Sequence, residues 1–338
     1  MALYPEFLPM RAVLMALPFS GSAWQETLAT VLNCYREMVE AVLVNDDTVE
    51  LWLLCHDSEE HKHWLEQLSL LPKQRARLRS VTHIPYDDTW IRDYGPLTLS
   101  NKGDDKSFNY KSFVFNGWGQ KYRAEKDDAV AVRLSDLIGA AVSKSRFVLE
   151  GGALEVNSKG VLLANRNCVV DELRNPNMSV ANVEKCLSEE LGVTRVEWVT
   201  DINLTGDDTD GHIDTIARFV ADDIIVACGR DANHPDADQL DSLNTQLEAI
   251  CLNNGWQLYS LPAAEIYSQV DGRMLPATYA NVLLCNNTVY VPIYGLEQDA
   301  TALSVIAKAL PSYRTVAVRC EALLEQHGSL HCATMQVG

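Results

Sequence analysis

One cysteine near the C-terminus and two upstream groups of carboxylates are the residues of this sequence best suited to chemistry. Cys332 follows Gly328, and the carboxylates lie in the runs Trp90–Asp93 and Asp210–Asp214. The thiolate is the reactive form of cysteine and needs a nearby base. Carboxylates gathered in one pocket are costly unless something positive binds between them. The sequence therefore predicts a cysteine nucleophile that acts on a cationic substrate, and a planar guanidinium is the natural candidate.

The other cysteines give no sign of a disulfide framework or a zinc site. The nine cysteines lie at positions 34, 55, 168, 186, 228, 251, 285, 320 and 332. Their number is odd and no Cys-x-x-Cys pair occurs, so reduced thiols are the simplest interpretation. Eight of them are expected to be small buried apolar residues.

Several side chains near the carboxylates have both a structural and a functional interpretation. If His212 and Asp214 lie on a strand, alternation places both on one face and so in the same pocket. Trp90 is either a core residue or an apolar wall that stacks on a cation. Arg92 is expected to pair with a carboxylate, and His331 is expected to point away from its neighbour, the nucleophile, in a positional role.

Length and charge restrict the class of protein. A chain of 338 residues with 47% apolar content can bury a large core. The N-terminus has no basic region ahead of an apolar run, and no stretch approaches the roughly 20 apolar residues of a membrane span, so we expect a cytoplasmic protein. The net charge of -18 argues against nucleic acid and anionic membranes as partners. It would enrich a small cationic substrate near the surface, or serve solubility alone.

The pattern of elements predicts a repetitive α/β fold. Three β-hairpins are predicted, at 147–164, 213–228 and 280–292, each with turn residues between β-branched runs. Helical periodicity lies between such pairs, at 24–44, 59–71, 127–139, 181–191, 237–253 and 299–310. About five strand-and-helix units around one core fit this spacing, which favours a closed repeat architecture in a single domain, residues 1–338. No Gly-x-Gly-x-x-Gly or Walker sequence is present.

Four motifs occur in a recognisable order: Trp90–Pro96, Glu150–Gly152, Thr209–Asp214 and His331–Gln336. In these motifs the chain resembles the agmatine deiminase branch of the guanidine-modifying (pentein) superfamily, which is related to bacterial peptidylarginine deiminases. The resemblance runs from about residue 90 to 336, and the first eighty or so residues match only in general pattern. It implies a five-bladed, pseudo-fivefold α/β propeller whose catalytic residues come from different blades.

The resemblance also implies roles for individual residues. Cys332 would attack the guanidinium carbon, ammonia would leave, and water would hydrolyse the resulting S-alkylthiouronium, with no metal or other cofactor. His212 would protonate the leaving ammonia and then activate the water. Asp93 and Asp214 would hold the guanidinium nitrogens, and Glu150 would orient His212.

The substrate is less constrained by the motifs. Typical family members carry a glycine run ahead of His-Cys, whereas here the stretch 326–330 keeps only Gly328. Asp208 either meets a distal amine or shapes its turn, and no obvious arginine pair is available for a substrate carboxylate. We therefore expect agmatine to be converted to N-carbamoylputrescine and ammonia in polyamine metabolism. Homo-oligomer formation is left open.

Three alternatives remain at this point. A deiminase of peptidyl or free arginine, giving citrulline, would share every catalytic residue. An amidinotransferase would pass the thiouronium carbon to an amine. A guanidine-binding protein without catalytic activity would not depend on Cys332.

Overall fold

The computed structural model describes residues 1–101 and 107–338, and in these ranges the strands form five sheets. The first sheet contains Ala2–Leu3, Leu97–Ser100, Phe108–Val114 and Val142–Val148. The second contains Arg195–Val199, Val161–Asn165 and Glu155–Val156. The third contains Ala217–Ala221, Ile224–Cys228 and Gln257–Leu261. The fourth contains Leu283–Cys285, Thr288–Ile293 and Arg314–Arg319. The fifth contains Met335–Val337, Ala12–Ala16, Glu50–Leu54 and Leu78–Val81.

All five sheets repeat one pairing pattern. An inner strand has an antiparallel neighbour on one side and a parallel neighbour on the other; in the fourth sheet Leu283 pairs with Tyr290 and Thr288 with Arg314. A parallel pair needs a long crossover, so a helical segment joins each inner strand to its parallel partner. In the fifth sheet the antiparallel neighbour, Met335–Val337, comes from the C-terminus and pairs with Ala12–Ala16 near the N-terminus.

The helices agree with most of the periodicity in the sequence. The α-helices are Leu28–Asn45, Glu59–Glu66, Pro72–Arg75, Ile91–Tyr94, Gly117–Gln120, Val130–Arg133, Ser135–Ile138, Arg166–Val169, Val180–Leu191, Ile213–Ile216, Ala237–Asn254 and Asp299–Ala309. Three 3₁₀ helices span Asp127–Ala129, Gly151–Ala153 and Glu321–Gln326. The expectation of one helix over 127–139 is wrong, because that segment forms three short helical turns that end at Gly139 in the left-handed region.

The α/β class is confirmed, and the closed arrangement of five repeat units stays a prediction. None of the five sheets closes on itself within residues 1–101 and 107–338. The inner strand Ala12–Ala16 is buried along its whole length, and Val31 and Tyr35 of the helix Leu28–Asn45 belong to the same apolar cluster. Burial of apolar area is the main source of stability, at about 25 cal/mol per Å². No helix in the described ranges is long and apolar enough to cross a membrane.

In every sheet a short segment leads into the strand that pairs antiparallel with the inner strand. Three of these segments are single helical turns, Ile91–Tyr94, Gly151–Ala153 and Ile213–Ile216. The other two are the irregular stretches just before Leu283 and Met335. Because the five pairs of strands repeat one pattern, these segments occupy equivalent places in the five sheets.

The buried carboxyl group of Asp127 holds the backbone of residues 87 and 88, beside the region that these segments surround. Asp127 Oδ1 accepts hydrogen bonds from the backbone N–H groups of Asp87 (2.8 Å) and Asp88 (3.3 Å). Asp127 Oδ2 is buried without a hydrogen-bond partner among the described residues. Burial raises the pKa of Asp127 to about 7. The folded protein therefore favours the protonated acid at this position.

This carboxyl group predicts a pH-dependent stability. Its pKa is higher in the folded than in the unfolded chain, so its contribution to stability is lost as the pH rises from about 4 through 7, by up to roughly 4 kcal/mol. We expect Asp127→Asn to be more stable relative to the parent protein at pH 8 than at pH 5, in urea unfolding at both pH values. The exposed Asp136→Asn is the control. An equal difference at the two pH values would contradict the assignment.

Candidate active site

The five segments that lead into the antiparallel neighbours of the inner strands each contribute a buried polar side chain to one region. These residues are Asp93, Glu150, Asp214, Asn281 and Cys332. None is more than 7% exposed. Residues that are far apart in the chain therefore meet because each occupies the same place in its own sheet.

A cleft with about 530 Å³ of empty space reaches this region from the surface. It is lined by Ala23, Asp88, Trp90, Asp93, Trp118, Tyr122, Asp208, Thr209, Gln326, His327, Gly328 and Cys332. Four residues predicted from the sequence are in this lining: Cys332, Asp93, Trp90 and Asp208. His212 and Asp214 contact this set from behind the lining, and Glu150 lies beyond His212.

The nucleophile candidate is surrounded by acceptors and by one amide. Asn281 Nδ2 lies 3.3 Å from Cys332 Sγ, and Asp214 Oδ2 lies 3.7 Å from the same sulfur. Burial raises the pKa of the Cys332 thiol well above its usual range, and the negative charges of Asp214 and Asp93 raise it further. Without a cation in the cleft, Cys332 is therefore a neutral thiol.

Asp93 is held in place by two donors. Trp118 Nε1 donates to Asp93 Oδ2 and the backbone N–H of Gly152 donates to Oδ1, both at 2.9 Å. Burial raises the pKa of Asp93 to about 6; His212 opposes this, while Asp214 adds to it by repulsion. A Cβ atom at position 152 would lie 2.5 Å from His212 Nδ1 and 2.9 Å from Asp93 Oδ1, which explains the glycine in the motif.

Asp214 has one occupied and one free oxygen. His331 Nδ1 lies 2.7 Å from Asp214 Oδ2, whereas Oδ1 is buried without a hydrogen-bond partner among the described residues. Burial alone would raise the pKa of Asp214, but the contact with His331 outweighs it and the pKa is lowered. A buried carboxylate oxygen without a donor is costly. Oδ1 is therefore placed to receive an N–H group from a bound molecule.

Two predictions about strand geometry are wrong. His212 precedes the helical turn Ile213–Ile216, so His212 and Asp214 do not share the face of a strand. They meet the same region because the turn is only four residues long. His331 likewise lies in a turn before Met335–Val337, and it contacts Asp214 instead of pointing away from the site. Arg92 pairs with a carboxylate as predicted, that of Glu6 at 2.5 Å.

His212 lies between two carboxylates. Its Nδ1 is 3.6 Å from Asp93 Oδ1, and its Nε2 is 3.9 Å from Glu150 Oε2, too long for a hydrogen bond. Burial alone would lower the pKa of His212, but Asp93, Cys168 and Glu150 together outweigh it and the pKa is raised well above the usual value. Arg174 Nε donates to both oxygens of Glu150, at 2.9 and 3.0 Å. The predicted orientation of His212 by Glu150 therefore stays a prediction.

The mouth of the cleft is acidic. Tyr122 donates its hydroxyl to Asp208 Oδ2 at 2.6 Å, and Lys121 Nζ lies 3.4 Å from Asp208 Oδ1. Asp88 lies deeper in the same wall, and burial raises its pKa to about 6. The Trp90 ring packs against Gly328, where a Cβ atom would come within 2.5 Å of it. The one glycine kept in the stretch 326–330 thus allows the indole to serve both as core and as cleft wall.

Two groups of side chains have the spacing of metal ligands. They are Glu150, Cys168 and His212, and Glu6, Glu155 and His331. Arg174 already binds Glu150, and Arg92 and Arg218 bind Glu6. Because these guanidinium groups supply the positive charge, neither group requires a metal ion for charge balance.

Residues that contact the site but were not identified from the sequence as part of it include Glu6, Asp88, Trp118, Arg174 and Asn281. Asp88 could have been found, because it lies two residues before Trp90, where the motif begins. Glu6 and Arg174 have no local signal, since only the fold brings them to this region.

Comparison with known proteins agrees with this geometry. The family model described as Porphyromonas-type peptidyl-arginine deiminase matches residues 2–338, which includes the first eighty residues. A Vibrio parahaemolyticus protein provisionally named agmatine deiminase is 28% identical, with 98% of this chain and 95% of that protein covered.

Two solved structures are similar over nearly the whole chain. C. jejuni agmatine deiminase, in a cysteine-to-serine form with substrate bound, is 28% identical with a TM-score of 0.89, and 99% of this chain and 96% of that one are covered. A Porphyromonas gingivalis protein provisionally named arginine deiminase is 36% identical with a TM-score of 0.87, and the coverage is 99% and 97%. The chain therefore belongs to the Porphyromonas-type peptidyl-arginine deiminase family, in the branch of the guanidine-modifying penteins that contains the agmatine deiminases.

Proposed function

We propose that the protein hydrolyses agmatine to N-carbamoylputrescine and ammonia. One observation carries the substrate assignment: the cleft above Cys332 is lined by three aspartates, Asp88, Asp93 and Asp208, and by no arginine or lysine among the described residues. A substrate with a cation at both ends fits such a cleft, whereas the carboxylate of arginine would meet like charges. The C. jejuni agmatine deiminase with substrate bound supports the same substrate class.

The first half of the reaction follows from the buried charges. The guanidinium lies between Asp93 and the free Oδ1 of Asp214, which fixes its plane. Its positive charge lowers the pKa of the Cys332 thiol, which burial and carboxylates otherwise raise. The thiol proton passes to water in the cleft, which later makes up the fourth proton of ammonium, and the thiolate adds to the guanidinium carbon. The tetrahedral adduct then breaks one C–N bond, and His212 supplies a proton to the departing ammonia.

The second half regenerates the thiol. The product of the first half is an S-alkylthiouronium on Cys332, and His212, now neutral, takes a proton from water. The hydroxide adds to the thiouronium carbon, the C–S bond breaks, and the ureido product leaves while the sulfur regains a proton. The electrons of the C–S bond stay on sulfur, so the cycle needs no oxidant, reductant or metal.

The architecture that supports this chemistry is part of the proposal. We infer that the five sheets are the five blades of one pseudo-fivefold domain, residues 1–338, with the site on its axis. The repeated pairing pattern and the convergence of five equivalent segments support this arrangement. A cytoplasmic location, a role in polyamine synthesis and any homo-oligomer remain predictions.

Deimination of arginine is the second candidate. The family model carries the name of a peptidyl-arginine deiminase, and the P. gingivalis structure at 36% identity carries the name of an arginine deiminase. His327 lies at the mouth of the cleft and is the one lining side chain, among the described residues, that could carry a positive charge. The catalytic residues would be the same.

A substrate panel tests the proposal. Purified protein should release ammonia from agmatine at least tenfold faster, in kcat/KM, than from free arginine or from peptides with internal or C-terminal arginine. Cys332→Ser should abolish the release because the nucleophile is lost, while Cys186→Ser, a half-buried helix residue, should retain it. A preference for arginine would show that arginine, and not agmatine, is the substrate. Transfer to an added amine without net ammonia would indicate an amidinotransferase, and binding without turnover a guanidine-binding protein.

Asp208 provides a separate test of how the distal amine is recognised. If its carboxylate attracts that amine, Asp208→Asn should raise KM for agmatine roughly five- to tenfold, the order of magnitude of one partly exposed ion pair, and change kcat less than twofold. Asp223→Asn removes an exposed carboxylate elsewhere and should change neither constant. An unchanged KM in Asp208→Asn would assign Asp208 to the turn instead.

The raised pKa of Asp93 predicts proton release on binding. Burial raises this pKa to about 6 in the empty site, and an adjacent cation favours the ionised form. Agmatine should therefore release more protons on binding at pH 6 than at pH 8, and kcat/KM should fall as the pH drops through about 6. Calorimetry of Cys332→Ser with agmatine, in buffers of different ionisation enthalpy, measures the release. Equal release at both pH values would exclude Asp93 as the titrating contact.

A further inference from the structure

The imidazole of His331 lies between two carboxylates. Its Nδ1 is 2.7 Å from Asp214 Oδ2, and its Nε2 is 2.7 Å from Glu6 Oε2. His331 and Asp214 are fully buried, and the side chain of Glu6 is 20% exposed. Glu6 comes from the N-terminal segment, which lies outside the four sequence motifs. The geometry thus joins that segment to a carboxylate of the active site.

The two short contacts fix the number of protons in this group. A neutral imidazole has one N–H donor and one acceptor nitrogen, and an ionised carboxylate only accepts. Two hydrogen bonds from His331 to two carboxylates therefore need one proton more than the neutral ring supplies. The proton lies either on the second ring nitrogen or on one of the carboxyl groups.

The surroundings of Glu6 decide which carboxyl group stays ionised. Arg92 Nη1 lies 2.5 Å from Glu6, Arg218 Nη2 lies 2.6 Å from it, and Gln336 Nε2 lies 2.9 Å from it. Burial alone would raise the pKa of Glu6, but the two guanidinium groups and His331 outweigh it and hold the pKa well below the usual range. Burial and the charges of Arg218 and Arg92 lower the pKa of His331, and the contacts with Glu6 and Asp214 oppose this only in part. Glu6 is the constant acceptor for His331 Nε2–H, so the additional proton is not fixed on the ring but is shared between His331 Nδ1 and Asp214 Oδ2.

We propose that Glu6 and His331 are positioning residues that set the orientation and the ionisation of Asp214 in the reaction proposed above. Glu6 fixes the ring orientation and keeps a proton on Nε2. His331 then engages Oδ2 of Asp214 and leaves Oδ1, which has no partner among the described residues, free for the guanidinium. When a guanidinium binds, the shared proton moves to His331 and Asp214 is a full carboxylate. This inference rests on the proposed function, because it assigns Asp214 to the substrate.

Through Glu6, the group formed by Glu6, His331 and Asp214 also reaches solvent in a second cleft. It lines a separate cleft together with Leu3, Tyr4, Arg92 and Gln336, and the lining of that cleft shares no residue with that of the active-site cleft. The group can therefore exchange its proton with water while substrate covers Cys332. The charged groups that face the trio are Arg92, Arg218, Glu155, Asp93, His212 and Cys332.

Kinetics of Glu6→Gln test the proposal. Glutamine is nearly the same size, but it lacks the charge that holds a proton on His331, so Asp214 should become harder to ionise. We expect kcat/KM for the preferred guanidine substrate to fall at least tenfold at pH 7. A second acid limb, below the one that Asp93 sets near pH 6, should move to higher pH by about one unit. Glu190→Gln, which breaks the partly exposed pair with Lys111, is the matched control and should leave the profile unchanged. A uniform loss of activity without a shifted limb would indicate a merely structural role.

A spectroscopic measurement keeps the test independent of turnover. In protein with ¹⁵N-labelled histidine, a second ring besides that of His212, whose pKa is raised well above its usual value, should give the signature of two protonated nitrogens in the Cys332→Ser complex with agmatine. The signal should disappear in His331→Asn and weaken in Glu6→Gln, and a folded parent protein without it would overturn the proposal. If the substrate is arginine instead, the shifted pH limb and this signal should still occur with arginine. Failure of the agmatine assignment is thus distinguishable from failure of the inference.

Discussion

The structure depends on the cost of placing several carboxylates together in a buried space. Asp93, Glu150 and Asp214 lie within one region that water barely reaches, and an isolated buried charge is worth several kcal/mol of destabilisation. The fold reduces this cost with fixed cations, such as Arg174 against Glu150. It leaves two carboxyl groups incompletely compensated. Oδ1 of Asp214 has no hydrogen-bond partner among the described residues, and the pKa of Asp93 stays raised. A bound cation lowers the free energy most beside these two groups.

The same electrostatics controls the nucleophile. A thiol beside two carboxylates and without a cation stays protonated, so Cys332 is protected from oxidation and from unrelated electrophiles in the empty site. In the proposed reaction a guanidinium reverses the balance, because its positive charge stabilises the thiolate as well as the ionised aspartates. Binding and activation of the nucleophile are then one event, which favours turnover of cationic substrates over neutral ones of the same shape. Specificity for charge thus follows from the thiol pKa and not from contacts alone.

Much of this site could be predicted from the sequence, because the motifs carry its central residues. Cys332, Asp93 and Asp214 meet as expected, yet the reason given for Asp214 was wrong: a helical turn, not an alternating strand, brings it to the site. The α/β class and most helix bounds followed from periodicity, which is a local property. Glu6 and Arg174 could not be found this way. Their roles come from contacts across the chain. Glu6 is a lone charge in an apolar stretch and Arg174 lies in a polar one, and neither stretch indicates which distant residue is the partner.

The repeat explains why distant residues were needed to complete the site. Each sheet delivers one short segment to the centre, so each can contribute only one or two side chains, and a guanidinium with several N–H groups requires more partners than that. The C-terminal segment carries Cys332 and then pairs as a strand with Ala12–Ala16, which draws the N-terminus to the same centre. Glu6 lies on that N-terminal approach and meets His331, the neighbour of the nucleophile. The pairing of the two chain ends in one sheet therefore also brings the charge of Glu6 to His331, the residue proposed to orient Asp214.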